Sequence, residues 1–261
     1  MSVYPPEKQF VVSVGISKTS YGEVVSLCRQ WAVERSTRAR YICVTNAYSI
    51  MLAKDNPELA KIFNDADIAT PDGMPVVWAL RTLGAPQQQR VYGPTLMLNL
   101  CRAAAEDGFG IFLYGGRPQT LPALEKRLFE QFPGLRIAGS YAPPFRALLA
   151  GEEEEVRARI QSSGARIVFV GIGTPKQEQW MYEHRECFPC LTLIGVGAAF
   201  DFFAGRTKQA PAWMQRHGFE WFFRLMTEPA RLWRRYLIVT PRFLPLWGLQ
   251  LLRTPRFRRS M

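Results

Sequence analysis

Short, continuous apolar runs recur through the first 204 residues: FVVSVGI (10–16), RYICVTN (40–46), DIATP (67–71), GIFLYGG (110–116), LRIAGSY (135–141), RIVFVGIG (166–173) and LTLIGVGAAF (191–200). Between them lie stretches with helical spacing, at 21–36, 47–64, 74–83, 95–107, 118–132, 152–163 and 175–186. Continuous rather than alternating runs suit strands covered on both faces. Strands separated by about a dozen or more helical residues need right-handed crossovers between parallel neighbours. The pattern predicts an α/β fold, a Rossmann-like layer sandwich with a mostly parallel sheet, whose ligands bind beyond the carboxyl ends of the strands. After residue 204 the pattern changes. Arginine is interleaved with Trp, Phe, Leu and Met, which predicts a C-terminal appendage of two or three basic amphipathic helices divided near residues 228 and 241. The expected division is therefore 1–204 and 205–261.

Charge sharpens that division. Residues 1–204 hold 21 Lys+Arg against 20 Asp+Glu, whereas residues 205–261 hold 12 against 2, Glu220 and Glu228. Four of the seven tryptophans also fall in the last segment. A basic, aromatic-rich amphipathic segment suits an anionic bilayer surface, with Trp at the headgroups and Arg on the lipid phosphates. The apolar stretch LIVTPRFLPLWGLQLL (237–252) contains Arg242 and two prolines and falls short of the roughly 18–20 apolar residues a spanning helix needs. No RNA-binding motif accompanies the basic stretch, so nucleic acid is not among the expected partners. Its apolar faces leave open packing on the preceding domain or burial in a second copy as a homo-oligomer.

Five cysteines (28, 43, 101, 187, 190) in no disulfide-framework spacing favour a reducing compartment, and CFPC (187–190) has no second pair to complete a zinc site. The two histidines, His184 and His217, give a histidine metal site or a Ser-His-Asp triad little to work with. No metal is expected. The N-terminus MSVYPPEKQF carries no signal peptide pattern.

Candidate chemistry gathers at predicted strand ends. In DIATPDGMPVVW, Asp72 and Gly73 lie between two prolines, after a strand and before a helix. Pro-Asp-Gly is ordinary tight-turn chemistry, but the position also sets a carboxylate on the ligand-binding edge. Glycine turns close two other strands, at Gly115-Gly116 and at Gly171-Ile172-Gly173. After the second, Thr174, Pro175 and Gln177 spell a helix N-cap and capping box, a sufficient structural explanation for those residues. The same glycines and free helix-start amides also suit a phosphate. Neither turn is a complete dinucleotide or Walker fingerprint. Arg90, before a Gly-Pro break in RVYGPTLM, reads equally as a diphosphate clamp or a partner of a surface acid. Asp65-Ala66-Asp67 imitates a metal-holding D-x-D but lies at a helix end before its strand, and reads as a solvated terminus. GEEEEVRARI (151–160) reads as an acidic, solvated first helical turn.

Taken in order, VTNAYSI, ADIATPDGMPVVWALRTLG, RVYGPTLM, FLYGG, VGIGTPKQEQWM and GVGAAFDFFAGRTKQAPAWMQRHGFEWFFRLMTEPARLWRRYL resemble the WecG/TagA/CpsF family of bacterial glycosyltransferases, from about residue 10 to 240. The resemblance implies an inverting, metal-independent enzyme. It would move N-acetylmannosamine, N-acetylmannosaminuronic acid or glucose from a UDP-sugar to an undecaprenyl-diphosphate-linked saccharide, for exopolysaccharide, capsule or cell-wall polymer synthesis. No cofactor is implied. By resemblance Asp72 is the catalytic base and Asn46 holds the acceptor or the base. Arg90, Gly115, Gly116, Gly171, Gly173, Thr174, Lys176 and Gln177 line the donor site, and Arg224, Arg231 and Arg234 reach the lipid diphosphate or the membrane. The family often carries Thr-x-Asn where this chain has Val44-Thr45-Asn46. The implied setting is peripheral, on the cytoplasmic face of the inner membrane, with 1–204 catalytic and 205–261 membrane-associating. The rival readings are a nucleotide-binding Rossmann-like oxidoreductase, which the glycine turns alone would permit, and a non-catalytic membrane adaptor.

Overall fold

The computed structural model describes residues 5–254; the last basic residues of the appendage, 255–261, lie outside it. In chain order the elements are β1 (Lys8–Val11), β2 (Val14–Ser17), α1 (Tyr21–Val33), β3 (Arg40–Thr45), α2 (Ala47–Asp55), α3 (Pro57–Asp65), β4 (Ile68–Pro71) and α4 (Met74–Thr82). They continue with α5 (Gly93–Asp107), β5 (Gly110–Gly115), α6 (Thr120–Gln131), β6 (Arg136–Tyr141), α7 (Ala150–Ser162), β7 (Ala165–Gly171), α8 (Lys176–His184), β8 (Thr192–Gly195) and α9 (Ala199–Phe203). The C-terminal segment holds α10 (Ala212–Arg216), α11 (Glu220–Thr227), α12 (Pro229–Trp233), a π-helical turn Arg234–Val239, a 3-10 turn Thr240–Arg242 and α13 (Phe243–Arg253).

Six strands form a sheet in the order β4-β3-β8-β7-β5-β6. The pairs β3–β8, β8–β7, β7–β5 and β5–β6 are parallel. This is the layered α/β arrangement that the apolar runs predict. Strands β5 and β8 are buried throughout, as continuous apolar sequence requires, while the edge strand β6 keeps its residues partly exposed.

The chain forms two compact units. The first comprises Tyr21–Val44 and Gly93–Lys208. Its core holds Tyr41, Phe112, Phe169, Phe188 and Phe200, each almost fully buried. Register brings Gly115 opposite Gly171 at the carboxyl ends of β5 and β7. There the backbones nearly touch: a Cβ on Gly115 would lie 2.5 Å from the Gly171 carbonyl carbon, and one on Gly171 would lie 2.8 Å from the Phe200 ring.

The second unit comprises Pro6–Ser20, Thr45–Tyr92 and the segment from Gln209 onward. Here the run 10–16 is two strands rather than one. β1 and β2 pair antiparallel around a turn in which Val12 adopts φ 57°. The Gln250 side chain holds that turn, its Oε1 accepting from Val12 N at 2.8 Å and its Nε2 donating to Phe10 O at 2.8 Å. The predicted helix 47–64 is likewise two. Pro57 cannot donate into a continuing helix, and Asn56 closes α2 while its Oδ1 accepts from Glu58 N and Leu59 N to start α3. The C-terminal segment is tied into this unit by Arg242, whose two terminal nitrogens each lie 2.7 Å from a carboxylate oxygen of Asp55.

Candidate active site

Strand β4 is buried at all four positions, and its exit is pinned on both sides. Val91 N donates to Pro71 O at 2.9 Å, and Asp72 N donates to Thr45 O at 2.8 Å. Gly73 then takes φ 81°, a conformation side-chain-bearing residues rarely adopt, and opens α4. An aspartate serving only its own turn would hydrogen-bond the backbone two or three residues on. Asp72 does not. Arg90 donates to its Oδ1 from Nε at 3.0 Å and from Nη2 at 2.9 Å. Among the described residues nothing donates to Oδ2.

Arg90 is aimed by the segment before it. Gln88 is buried and donates to Thr19 O and Gln89 O, while Arg81 Nε donates to Gln88 O at 2.8 Å. The Arg90 guanidinium lies 4.1 Å from the Tyr92 ring centroid. Its Nη2 also donates to Glu220 Oε2 at 2.8 Å, and Tyr92 Oη donates to Glu220 Oε1 at 3.2 Å. Asp72, Arg90 and Glu220 are each about 15% exposed at the side chain, so the cluster is largely withdrawn from solvent. Two more cations stand by. Arg224 follows Glu220 by one turn of α11, and Arg235 stacks on Tyr48, 4.5 Å from the ring centroid.

The titration of these groups follows from that crowding. Burial raises the Asp72 carboxyl above its ordinary value and Glu220 adds to the rise, while Arg90 and Arg235 pull it back. Burial alone would lower Arg90, but the carboxylates of Asp72 and Glu220 outweigh it and keep it firmly cationic. Burial lowers Arg235, with Arg224 adding to the effect. Tyr92 is driven up by burial and by Glu220, and stays a phenol.

Asn46 caps α2: its Oδ1 accepts from Ser49 N at 3.2 Å, and Ser49 Oγ accepts from Asn46 N at 2.9 Å. That accounts for one end of its amide and leaves Nδ2 with no protein acceptor among the described residues. A Cβ on Gly73 would lie 3.7 Å from the Asn46 Cβ, so Asn46 adjoins the Asp72–Gly73 turn. Of the three tail arginines, Arg224 joins the cluster. Arg231 instead pairs with Glu228 at 2.5 Å, and Arg234 lies over Trp233, both exposed.

The remaining predicted donor residues belong to the other unit. Gly116 N donates to Gly171 O at 3.1 Å, so the Gly115–Gly171 contact has its own packing reason. Gly173 is open, with φ 85°. The predicted capping box does not form. Helix α8 begins at Lys176, and Thr174 Oγ1 donates to the buried Glu178 Oε1 at 3.0 Å. Gln177 is buried, donates to the same Glu178 oxygen at 2.8 Å and accepts from Gly197 N at 3.1 Å. It therefore braces the turn rather than capping the helix. Lys176 is exposed and has no ion pair among the described residues.

Two sequence suspects resolve structurally. Asp65 is exposed at the end of α3 and pairs with Lys61, as a solvated helix end should. Glu152, in the acidic run, accepts from Arg146 and from Leu149 N, which hold its carboxyl down at about 2. Cys187 and Cys190 are free thiols. No cluster of three or more His, Cys, Asp or Glu that would hold a metal ion occurs among the described residues. Glu220, Tyr92, Tyr48 and Arg235 escape sequence reasoning. The one available signal was an acid, Glu220, in a segment otherwise almost devoid of acids.

Residues 10–257 match the glycosyl transferase WecG/TagA/CpsF family, nearly the whole chain. The chain belongs to that family. It is also 33% identical over 202 residues to a protein of Bacillus spizizenii (strain ATCC 23059 / NRRL B-14472 / W23), covering 77% of this chain and 76% of that one. That relative is named N-acetylglucosaminyldiphosphoundecaprenol N-acetyl-beta-D-mannosaminyltransferase. Membership of the WecG/TagA/CpsF family makes the chain a transferase of glycosyl groups. Among the described residues, no helix is long and apolar enough to cross a membrane.

Proposed function

We propose that the protein transfers N-acetylmannosamine, or a closely related hexose, from a UDP-sugar to an undecaprenyl-diphosphate-linked saccharide, inverting the anomeric carbon without a metal ion. The carrying observation is Asp72. It is a largely buried carboxylate at the carboxyl end of a buried strand, bound on Oδ1 and with no donor on Oδ2 among the described residues. Burial keeps it basic, which suits a group that draws a proton from an acceptor hydroxyl as that oxygen attacks C1. One carboxylate suffices, because a nucleoside diphosphate is a good leaving group and needs no second acid. The charge that develops on the departing diphosphate needs cations or amide donors. Lys176 and the Gly171–Thr174 turn are assigned to the donor, with Arg90 holding the base. Asn46 Nδ2 is assigned to the acceptor sugar. Arg224, with Arg231 and Arg234 outside it, is assigned to the lipid diphosphate.

The C-terminal segment supports peripheral attachment to a bilayer, which this reading assigns to the cytoplasmic face of the inner membrane. It exposes Trp213, Phe219, Trp221, Phe222, Met226 and Trp233 at 41–66% amid arginines, an aromatic and basic surface of the kind bilayer interfaces accept. In this reading residues 1–204 carry the chemistry and residues 205–261 bring them to the lipid-borne acceptor. The test is a panel of UDP-sugars against N-acetylglucosaminyl-diphosphoundecaprenol, with and without EDTA, for the wild type and D72N. Transfer of N-acetylmannosamine that survives EDTA and disappears in D72N is expected. Activity lost to chelation, or retained by D72N, overturns the reading.

A further inference from the structure

We propose that Glu220 is a positioning residue for this reaction: it shares the Arg90 guanidinium with Asp72, so that Arg90 holds one oxygen of the base without pairing with that base alone. The inference rests on the reading of Asp72 as general base.

An arginine facing a lone aspartate would bind it as a closed pair and make it a poor proton acceptor. Here the same nitrogen, Arg90 Nη2, reaches Asp72 at 2.9 Å and Glu220 at 2.8 Å. A second buried carboxylate on one guanidinium is poor economy for stability alone, since its desolvation and its repulsion of the first both oppose folding. It is a sensible device for keeping a base oriented yet basic. The groups facing Asp72 are Arg90, Glu220 and Arg235; those facing Glu220 are Arg90, Tyr92 and Arg224. Glu220 is the carboxylate that acts on Asp72 against its cations, and its effect on the carboxyl is upward. Its other oxygen takes the Tyr92 hydroxyl at 3.2 Å, so α11 is locked to the 90–92 segment that carries Arg90. Both oxygens of Glu220 are engaged by protein groups, Arg90 and Tyr92, so in this assignment it acts through Arg90.

The experiment compares pH profiles of kcat/KM for the wild type, E220Q, Y92F and D72N on the lipid-linked acceptor, with folding followed by circular dichroism. E220Q keeps the shape and removes the charge, so Asp72 ionises more readily. The acid limb moves to lower pH, and the plateau kcat falls about tenfold with the donor KM within about twofold, because a weaker base is a poorer proton acceptor. Y92F loses a bond to Glu220 but no charge, so its acid limb stays in place while kcat drops about threefold. An unmoved limb in E220Q, with D72N inactive, overturns the role of Glu220 and leaves Asp72 as base. Full turnover in D72N overturns the base and this inference together. Should E220Q not fold, an unchanged kcat in Y92F overturns the inference by itself.

Discussion

At Arg90 one guanidinium nitrogen serves two carboxylates, so each of the three side chains depends on the other two. Arg90→Ala removes the cation that Asp72 and Glu220 share, and breaking a buried ion pair by taking away one partner costs about 3–5 kcal/mol. Urea unfolding at pH 7 measures that loss, and acidification recovers part of it as Asp72, whose carboxyl is raised by burial, takes up its proton. Asp72→Asn runs the other way. The folded carboxyl titrates above its unfolded value. Between those two values the folded chain binds more protons, so stability falls as pH rises through the window and stays lower above it. D72N removes that term. It should therefore unfold at no lower urea concentration than the wild type at pH 7, with the wild type catching up as the pH falls through the window. A clearly lower midpoint for D72N at pH 7 contradicts this sign. Asp72 was legible in the sequence because Pro-Asp-Gly after an apolar run marks a strand end. Glu220 was not, because it meets Arg90 across 130 residues and nothing in local spacing encodes that meeting.

Among the elements, the long apolar runs and helical stretches match the structure, whereas the breaks inside them do not all show: Pro57 divides 47–64 locally, and other breaks depend on distant partners. Strands β5, β7 and β8 and helices α1, α5 and α6 follow directly from apolar runs and helical spacing. The β1–β2 hairpin hides in an unbroken apolar run because its turn uses Val12 rather than Gly or Asn, and the Gln250 side chain that steadies it comes from α13. The turn before α8 looked like a capping box, but Glu178 draws both Thr174 and Gln177 inward. The glycine pair at the ends of β5 and β7 has a role in packing that pattern alone presents as a phosphate loop. Gly171→Ala puts a methyl 2.8 Å from the Phe200 ring. An overpacked site of this kind costs about 1–3 kcal/mol. Phe200→Leu opens the same space, so the double variant should cost less than the sum of the two single ones in a double-mutant cycle by urea unfolding. Strict additivity would show that the Phe200 contact is not what demands glycine at 171.

On the scale of the whole chain, the uneven charge is the feature plainest in the sequence. Arg216, Arg231 and Arg234 are exposed on the same C-terminal segment as the exposed Trp213, Phe222 and Trp233. Each cation near an anionic bilayer contributes about 1 kcal/mol. Replacing the three arginines with Gln should thus weaken binding to phosphatidylglycerol vesicles by about a hundredfold, given that about 1.4 kcal/mol is a factor of ten. The loss should shrink in high salt, where such attraction is screened. Zwitterionic vesicles should bind weakly and alike with either protein. Vesicle sedimentation without acceptor isolates this attraction from any grip on the lipid diphosphate. A short-chain, water-soluble diphosphate acceptor isolates the opposite term, because it needs no membrane. A triple variant that loses vesicle binding but turns over the soluble acceptor normally places Arg231 and Arg234 at the bilayer and leaves the diphosphate to Arg224. If vesicle binding is unchanged, the basic segment serves something other than the membrane, and self-association measured by sedimentation velocity becomes the alternative to examine.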